Sequence, residues 1–152
     1  MRVKSNRSRL YIAYGSNLNV PQMAYRCPGA TIAGESTLQD YRLMFRGAHG
    51  NAVATVEPCA EQSVPVLVWR ITPQDEAALD RYEGLPHLYR KETMRIELNG
   101  KTVTAMIYIM NDGRPLGQPS AYYYGVILDG YMAAGFDPDV LVKATEYSAK
   151  IQ

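Results

Sequence analysis

The feature that most constrains this fold is the pair Asn99-Gly100. It separates two runs rich in strand-forming residues, Tyr89 to Leu98 and Lys101 to Met110. Asn-Gly is the two-residue turn whose backbone twist matches that of two antiparallel strands. Part of the chain is therefore expected to be an antiparallel sheet. Further strands are read at Tyr11 to Tyr14, at 30–39 and 41–47, at Ala52 to Val56 before Pro58, and at Val64 to Ile71. In these segments apolar residues either alternate with polar ones or run unbroken for the length of a buried strand.

The helices announce themselves by their ends. Thr72-Pro73-Gln74-Asp75-Glu76 combines a capping hydroxyl, a proline in the first turn and acids where the helix dipole favours them. Gly84 is placed to end that helix as a left-handed cap. Asn19-Val20-Pro21 marks a short helix, Ser120 caps another through Tyr123, Val126, Ile127 and Gly130, and a last one is expected from Asp137-Pro138. Strands and about four helices together define an α+β class.

Composition narrows the classes of function. The chain has 152 residues, enough for one domain with a sizeable core, and no internal repeat or linker divides it. Apolar residues make up 47% and charged residues 20%, and the formal net charge is +1. Neither nucleic acid nor a membrane surface is favoured by that balance. Cys27 and Cys59 stand apart without metal-ligand spacing, so no metal site is expected. Residues 1–9 are basic and no apolar span follows them, which suggests a frayed tail on a cytoplasmic protein. Twelve tyrosines against two phenylalanines favour clefts where a ring packs while its hydroxyl meets a polar group.

Two segments attract chemical interest. In Tyr11-Ile12-Ala13-Tyr14-Gly15-Ser16-Asn17-Leu18 a core strand delivers a glycine turn to the foot of a helix. Backbone N–H groups in such a turn can converge on an anion, although an ordinary strand-to-helix connection reads the same way. Glu83 stands at the carbonyl end of the helix after Thr72, where negative charge is disfavoured by roughly 0.3–1 kcal/mol. Asp80 on the same side, and burial behind Tyr82, would raise its pKa further, as suits a general base. An exposed helix end balanced by Arg81 is the plainer alternative. His49 and His87 lie in turn-like segments and carry no recognisable catalytic pattern.

Taken in order, these segments resemble the gamma-glutamylcyclotransferase family. Residues Tyr11 to Leu18 are similar to its tyrosine-glycine-serine-asparagine signature. Leu38 to Leu43 and His49 to Thr55 are similar to the strands after it, Val68-Trp69 and Leu79 to Gly84 to the strand and helix bearing its glutamate, and Pro119 to Tyr123 to its proline-serine-x-x-tyrosine helix start. The resemblance implies a small, mixed, mostly antiparallel β-barrel flanked by helices over residues 10–152. It also implies an enzyme without cofactor or metal that cyclises a gamma-glutamyl amide to 5-oxoproline and frees the amine. Glu83 would be the catalytic acid/base, and Tyr11, Tyr14, Gly15, Ser16, Asn17, Leu18 and Tyr123 would hold the substrate. A small-molecule substrate and a monomeric or weakly dimeric state go with this reading. So does variation of the accepted amine through 84–88 and 111–118. The alternative is a catalytically silent domain of the same fold that binds a gamma-glutamyl-like ligand or a protein.

Overall fold

A computed structural model describes residues 8–149. Its elements run β1 (Arg9–Ala13), a single 3-10 turn at Ser16–Leu18, α1 (Val20–Arg26), β2 (Thr31–Arg46) and β3 (Val53–Ile71). Then follow α2 (Pro73–Tyr82), β4 (Tyr89–Leu98), β5 (Lys101–Met110), α3 (Ala121–Ala134) and α4 (Asp139–Ser148). The class is α+β, with one five-stranded sheet in the order β2-β3-β1-β5-β4. All pairings are antiparallel except β1 with β5, which meet in parallel at Tyr11 and Met106.

The implied barrel is not closed. Among the described residues, β2 and β4 share no backbone ladder, and only the tips of the two edge strands touch. The Ser36 hydroxyl donates to the Glu97 carbonyl. A Cβ on Gly34 would stand 2.8 Å from Leu98 Cδ1. The sheet thus curls until its edges meet at one end without zipping.

The β4–β5 hairpin keeps an unbroken register from Tyr89 opposite Met110 to Leu98 opposite Lys101. Asn99 and Gly100 take φ of 53° and 82°, the positive values such a turn demands. The other hairpin departs from expectation. The two strands read at 52–56 and 64–71 are one strand, β3, running through Pro58 and Pro65. β1 pairs only with Leu67 to Ile71 of it, so both prolines lie where β3 has β2 as its sole partner and an N–H is dispensable. The gap expected between 39 and 41 is a register break at Asp40, whose φ is 65° and whose carboxylate accepts from the Glu61 N–H at 3.0 Å. The tail expected over 1–9 falls mostly outside the described residues. Arg9 itself already belongs to β1, where it faces Ile71 and pairs with Glu76 at 2.7 Å.

Three helix ends position the functional region. Thr72 and Asp75 form a reciprocal capping box that starts α2. This is worth about 1 kcal/mol. Gly84, at φ 68°, supplies the left-handed residue just beyond Glu83. Asn19 caps α1 by accepting from Gln22 N–H at 3.1 Å, and its own amide donates to the Val126 carbonyl of α3 at 3.0 Å. α3 can lie that close because of Gly130. A Cβ there would stand 2.7 Å from the backbone and side chain of Leu18.

Candidate active site

A cavity of about 250 Å³ opens where the end of β1, the 3-10 turn, the end of α2 and the start of α3 converge. β1 is buried from Tyr11 onward because it is the middle strand of five, and it delivers Tyr14 and Gly15 to the floor. Leu18 N–H closes the turn on the Gly15 carbonyl at 3.0 Å. The amides of Ser16 and Asn17 precede that bond, at the start of a helical turn, where N–H groups have no intrahelical acceptor. No side chain at residue 15 blocks the approach. A Cβ there would stand 3.3 Å from Ala54 Cβ and 3.8 Å from the Tyr123 hydroxyl.

The polar side chains around the turn are engaged with one another. Asn17 Nδ2 donates to the Tyr11 hydroxyl at 2.8 Å, and the Asn17 carbonyl accepts from the Trp69 indole at 3.1 Å. Ser16 and Tyr82 share a hydrogen bond of 2.9 Å. Tyr14 donates to the Tyr108 carbonyl at 2.6 Å, Tyr89 to the Ala54 carbonyl at 2.5 Å and Tyr108 to Asp80 at 2.6 Å. Those three hydroxyl protons are spent. Tyr11 and Tyr123 instead accept, the latter from Ala54 N–H at 3.1 Å, and each keeps a proton for a ligand.

Glu83 enters the same cavity from the end of α2. Among the described residues, no side chain hydrogen-bonds its carboxylate. Burial pushes its pKa up to about 7, with the Arg26 guanidinium pulling the other way. The cause differs from the sequence expectation in one respect. Asp80 contributes no repulsion worth naming, because it is turned to Lys91 at 3.0 Å and to the Tyr108 hydroxyl. A wall of tyrosine rings does the work instead. The hydroxyls of Tyr11 and Tyr14 are held protonated well above their usual range, first by burial and then by the Glu83 charge. Burial does the same for Tyr89 and Tyr123.

Of the residues expected to form the site, Tyr11, Tyr14, Gly15, Ser16, Asn17, Glu83 and Tyr123 line the cavity together. Leu18 does not. It is fully buried under Gly130 and serves as the anchor beneath the turn. Sequence reasoning named Tyr82 only as cover for Glu83 and missed Tyr89 and Tyr108, and also Ala54, whose N–H and carbonyl hold two of the rings. The excess of tyrosine was a signal for such a wall, but not for which tyrosines build it. Of the two segments expected to border the amine, 84–88 contributes Leu88 to the lining. Asn111 fastens it by donating to the carbonyls of Pro86 and His87 at 2.7 and 3.0 Å. Residues 111–115 themselves border a separate hollow with Arg46 and Glu57. His49 and His87 are exposed. Among the described residues, no three His, Cys, Asp or Glu side chains gather to hold a metal, and no helix is long and apolar enough to cross a membrane.

An α+β fold with a tyrosine-walled cleft, an amide-bearing turn and one carboxyl of raised pKa defines a site for acid–base chemistry on a small molecule. The profile of the family described as gamma-glutamyl cyclotransferase, AIG2-like, matches residues 11–126, and the chain belongs to that family. The chain is 28% identical to the gamma-glutamylcyclotransferase of Mus musculus over 93% of its own length and 82% of that protein's. It is 29% identical to the one of Bos taurus, covering 86% and 73%. A solved gamma-glutamyl cyclotransferase superposes with a TM-score of 0.78 at 26% identity, covering 96% of this chain and 94% of that one. Family, relatives and fold therefore make this chain an enzyme of this type.

Proposed function

We propose that this enzyme cyclises the gamma-glutamyl part of a gamma-glutamyl amide to 5-oxoproline, with Glu83 as base and then acid. The reading fits the raised pKa of Glu83 in the same small cavity as the Gly15-Ser16-Asn17 turn. The substrate's own α-amine is the nucleophile, so the protein's main task is to fold a flexible chain into a ring-like shape. A cavity walled by rings with fixed hydroxyls suits that task.

Glu83 takes a proton from the α-ammonium group. The freed lone pair forms the new C–N bond to the γ-carbonyl carbon, and the carbonyl π pair moves to oxygen. When that pair returns, the bond to the departing amine breaks and Glu83 delivers its proton to the departing nitrogen. The ring nitrogen, which still carries one proton more than the lactam, then gives it to the freed Glu83 carboxylate, which passes it to solvent or to the released amine. One group performs both transfers best when its pKa lies near the working pH, as burial arranges here. The protons left on Tyr11 and Tyr123 are available to the glutamyl portion.

The test is release of 5-oxoproline from a panel of gamma-glutamyl amides by wild type and by Glu83→Gln. Lactam release by wild type and its loss in the variant are expected. Wild type that binds the amides yet releases no lactam would leave a binding domain of this fold instead.

A further inference from the structure

Arg26, the last residue of α1, does not itself line the cavity, but its contacts lead there. One guanidinium nitrogen donates to Asn17 Oδ1, and another donates to Gln22 Oε1 at 3.3 Å. The guanidinium carbon stands 3.6 Å from the centroid of the Tyr82 ring. Asn17 and Tyr82 are both lining residues, and each passes the contact on, to Tyr11 and to Ser16.

Arg26 makes no contact ion pair, although its charge is felt at the Glu83 carboxylate. Among the described residues, ion pairs join Arg9, Arg46, Arg90, Lys91 and Lys143 to carboxylates, and none joins Arg26. The other cation near the cavity wall, Lys91 beside the Tyr108 ring, is neutralised by Glu76 and Asp80. A half-buried guanidinium with no contacting carboxylate leaves its field free to act on an anion brought into the cavity. The cavity meanwhile has one acidic lining residue and no basic one. A gamma-glutamyl group brings an α-carboxylate that Glu83 alone would repel.

We propose that Arg26 is a positioning residue for the substrate's α-carboxylate: its charge, fixed behind Asn17, makes the Gly15–Asn17 turn a seat for that anion. The seat combines the amides of the turn with a guanidinium held by two hydrogen bonds and a ring, so the positive field is in place before substrate arrives. The inference rests on the cyclisation proposed above. It also bears on Glu83. The groups facing that carboxyl are Tyr82 on its own helix, Tyr11 and Tyr14, Tyr89, Tyr108 and Tyr123, all neutral, so Arg26 is the one fixed charge acting on it.

Two gamma-glutamyl anilides test this, one with the free α-carboxylate and one with an α-carboxamide. Both keep the attacking amine and the γ-carbonyl, and they differ in one charge. In wild type, kcat/KM is expected to favour the carboxylate. In Arg26→Gln that preference should collapse about tenfold, mainly through KM. Arg26→Lys, which keeps the charge without the planar fork, should restore part of it. If the carboxamide is turned over too slowly, its inhibition constant against the carboxylate substrate gives the same ratio. The acidic limb of the pH profile should move to higher pH in Arg26→Gln and stay in Arg26→Lys. An equal loss on both anilides, or an unchanged ratio, overturns the proposal. If neither anilide is turned over, the same carboxylate and carboxamide pair is made with an amine that the panel above finds accepted. Wild type that releases lactam from no member of that panel overturns the cyclisation reading as well, and so is distinct from a failure of Arg26 alone.

Discussion

The two sides of the cavity are built on opposite principles. On the turn side, the side chains of Ser16, Asn17, Tyr11 and Tyr14 all have polar partners within the protein, and Trp69 lies behind them. On the other side, Glu83 is held in place by helix geometry alone, and its carboxylate has no hydrogen-bond partner among the described residues. A satisfied network is rigid, because moving any member strands the others. An acid drawn largely out of water with no donor to its charged form has a raised pKa, because its charge is poorly stabilised. The difference teaches where the protein invests stability and where it gives stability up: the cradle is preorganised and the acid is kept uncomfortable.

The sharpest way to break that contrast is Glu83→Gln. It removes the proposed proton carrier and none of the cradle, so kcat should fall about a thousandfold while the folded state is unharmed. Steady-state kinetics beside a thermal melt would show this. A loss of activity with a matching loss of stability would mean that Glu83 is structural after all.

The pH dependence of stability is the next largest effect. Glu83 has a folded pKa of about 7, above its unfolded value, so the folded state holds a proton that the unfolded state releases first. Its contribution is fully present below the unfolded carboxylate pKa and is lost as pH rises through about 7. Relative to Glu83→Gln, wild type should therefore lose up to about 3 kcal/mol between pH 4 and pH 8, read by urea denaturation at each pH. A difference that does not change with pH would mean that the carboxyl is solvated.

Substitutions in the cradle should behave in the reverse manner. Asn17→Ala removes the bonds to Tyr11 and Arg26 from a side chain that is 2% exposed. It should cost about 2–3 kcal/mol of stability as well as activity. Trp69→Phe leaves the Asn17 carbonyl without its indole donor, and should cost about 1 kcal/mol and little kcat. If either change proved neutral to stability, the turn would be held by its backbone alone.

The features that could be read from the sequence are those set by neighbouring residues. Asn99-Gly100, the Thr72–Asp75 cap, Gly84 and the Asn19 cap each act through bonds spanning a few positions, and all appear where expected. So does the strand-to-turn passage at Tyr14-Gly15-Ser16, because the apolar run and the turn-forming residues adjoin directly in the chain. The position of Glu83 at a helix end was local too. Its raised pKa had the right direction, though the cause was only partly anticipated.

What the chain order could not reveal is what distance in sequence hides. Which tyrosines meet depends on β1 lying between β3 and β5, a parallel contact that no local signal encodes. Whether Pro58 ends a strand depends on which edge of β3 lacks a neighbour. Whether Asp80 repels Glu83 or turns away depends on Lys91 and Tyr108 arriving from another hairpin. Short-range chemistry decided the caps, the turns and the placement of single residues along the chain. Only the packed structure decided burial, and burial is what lifts the Glu83 pKa above that of an ordinary glutamate.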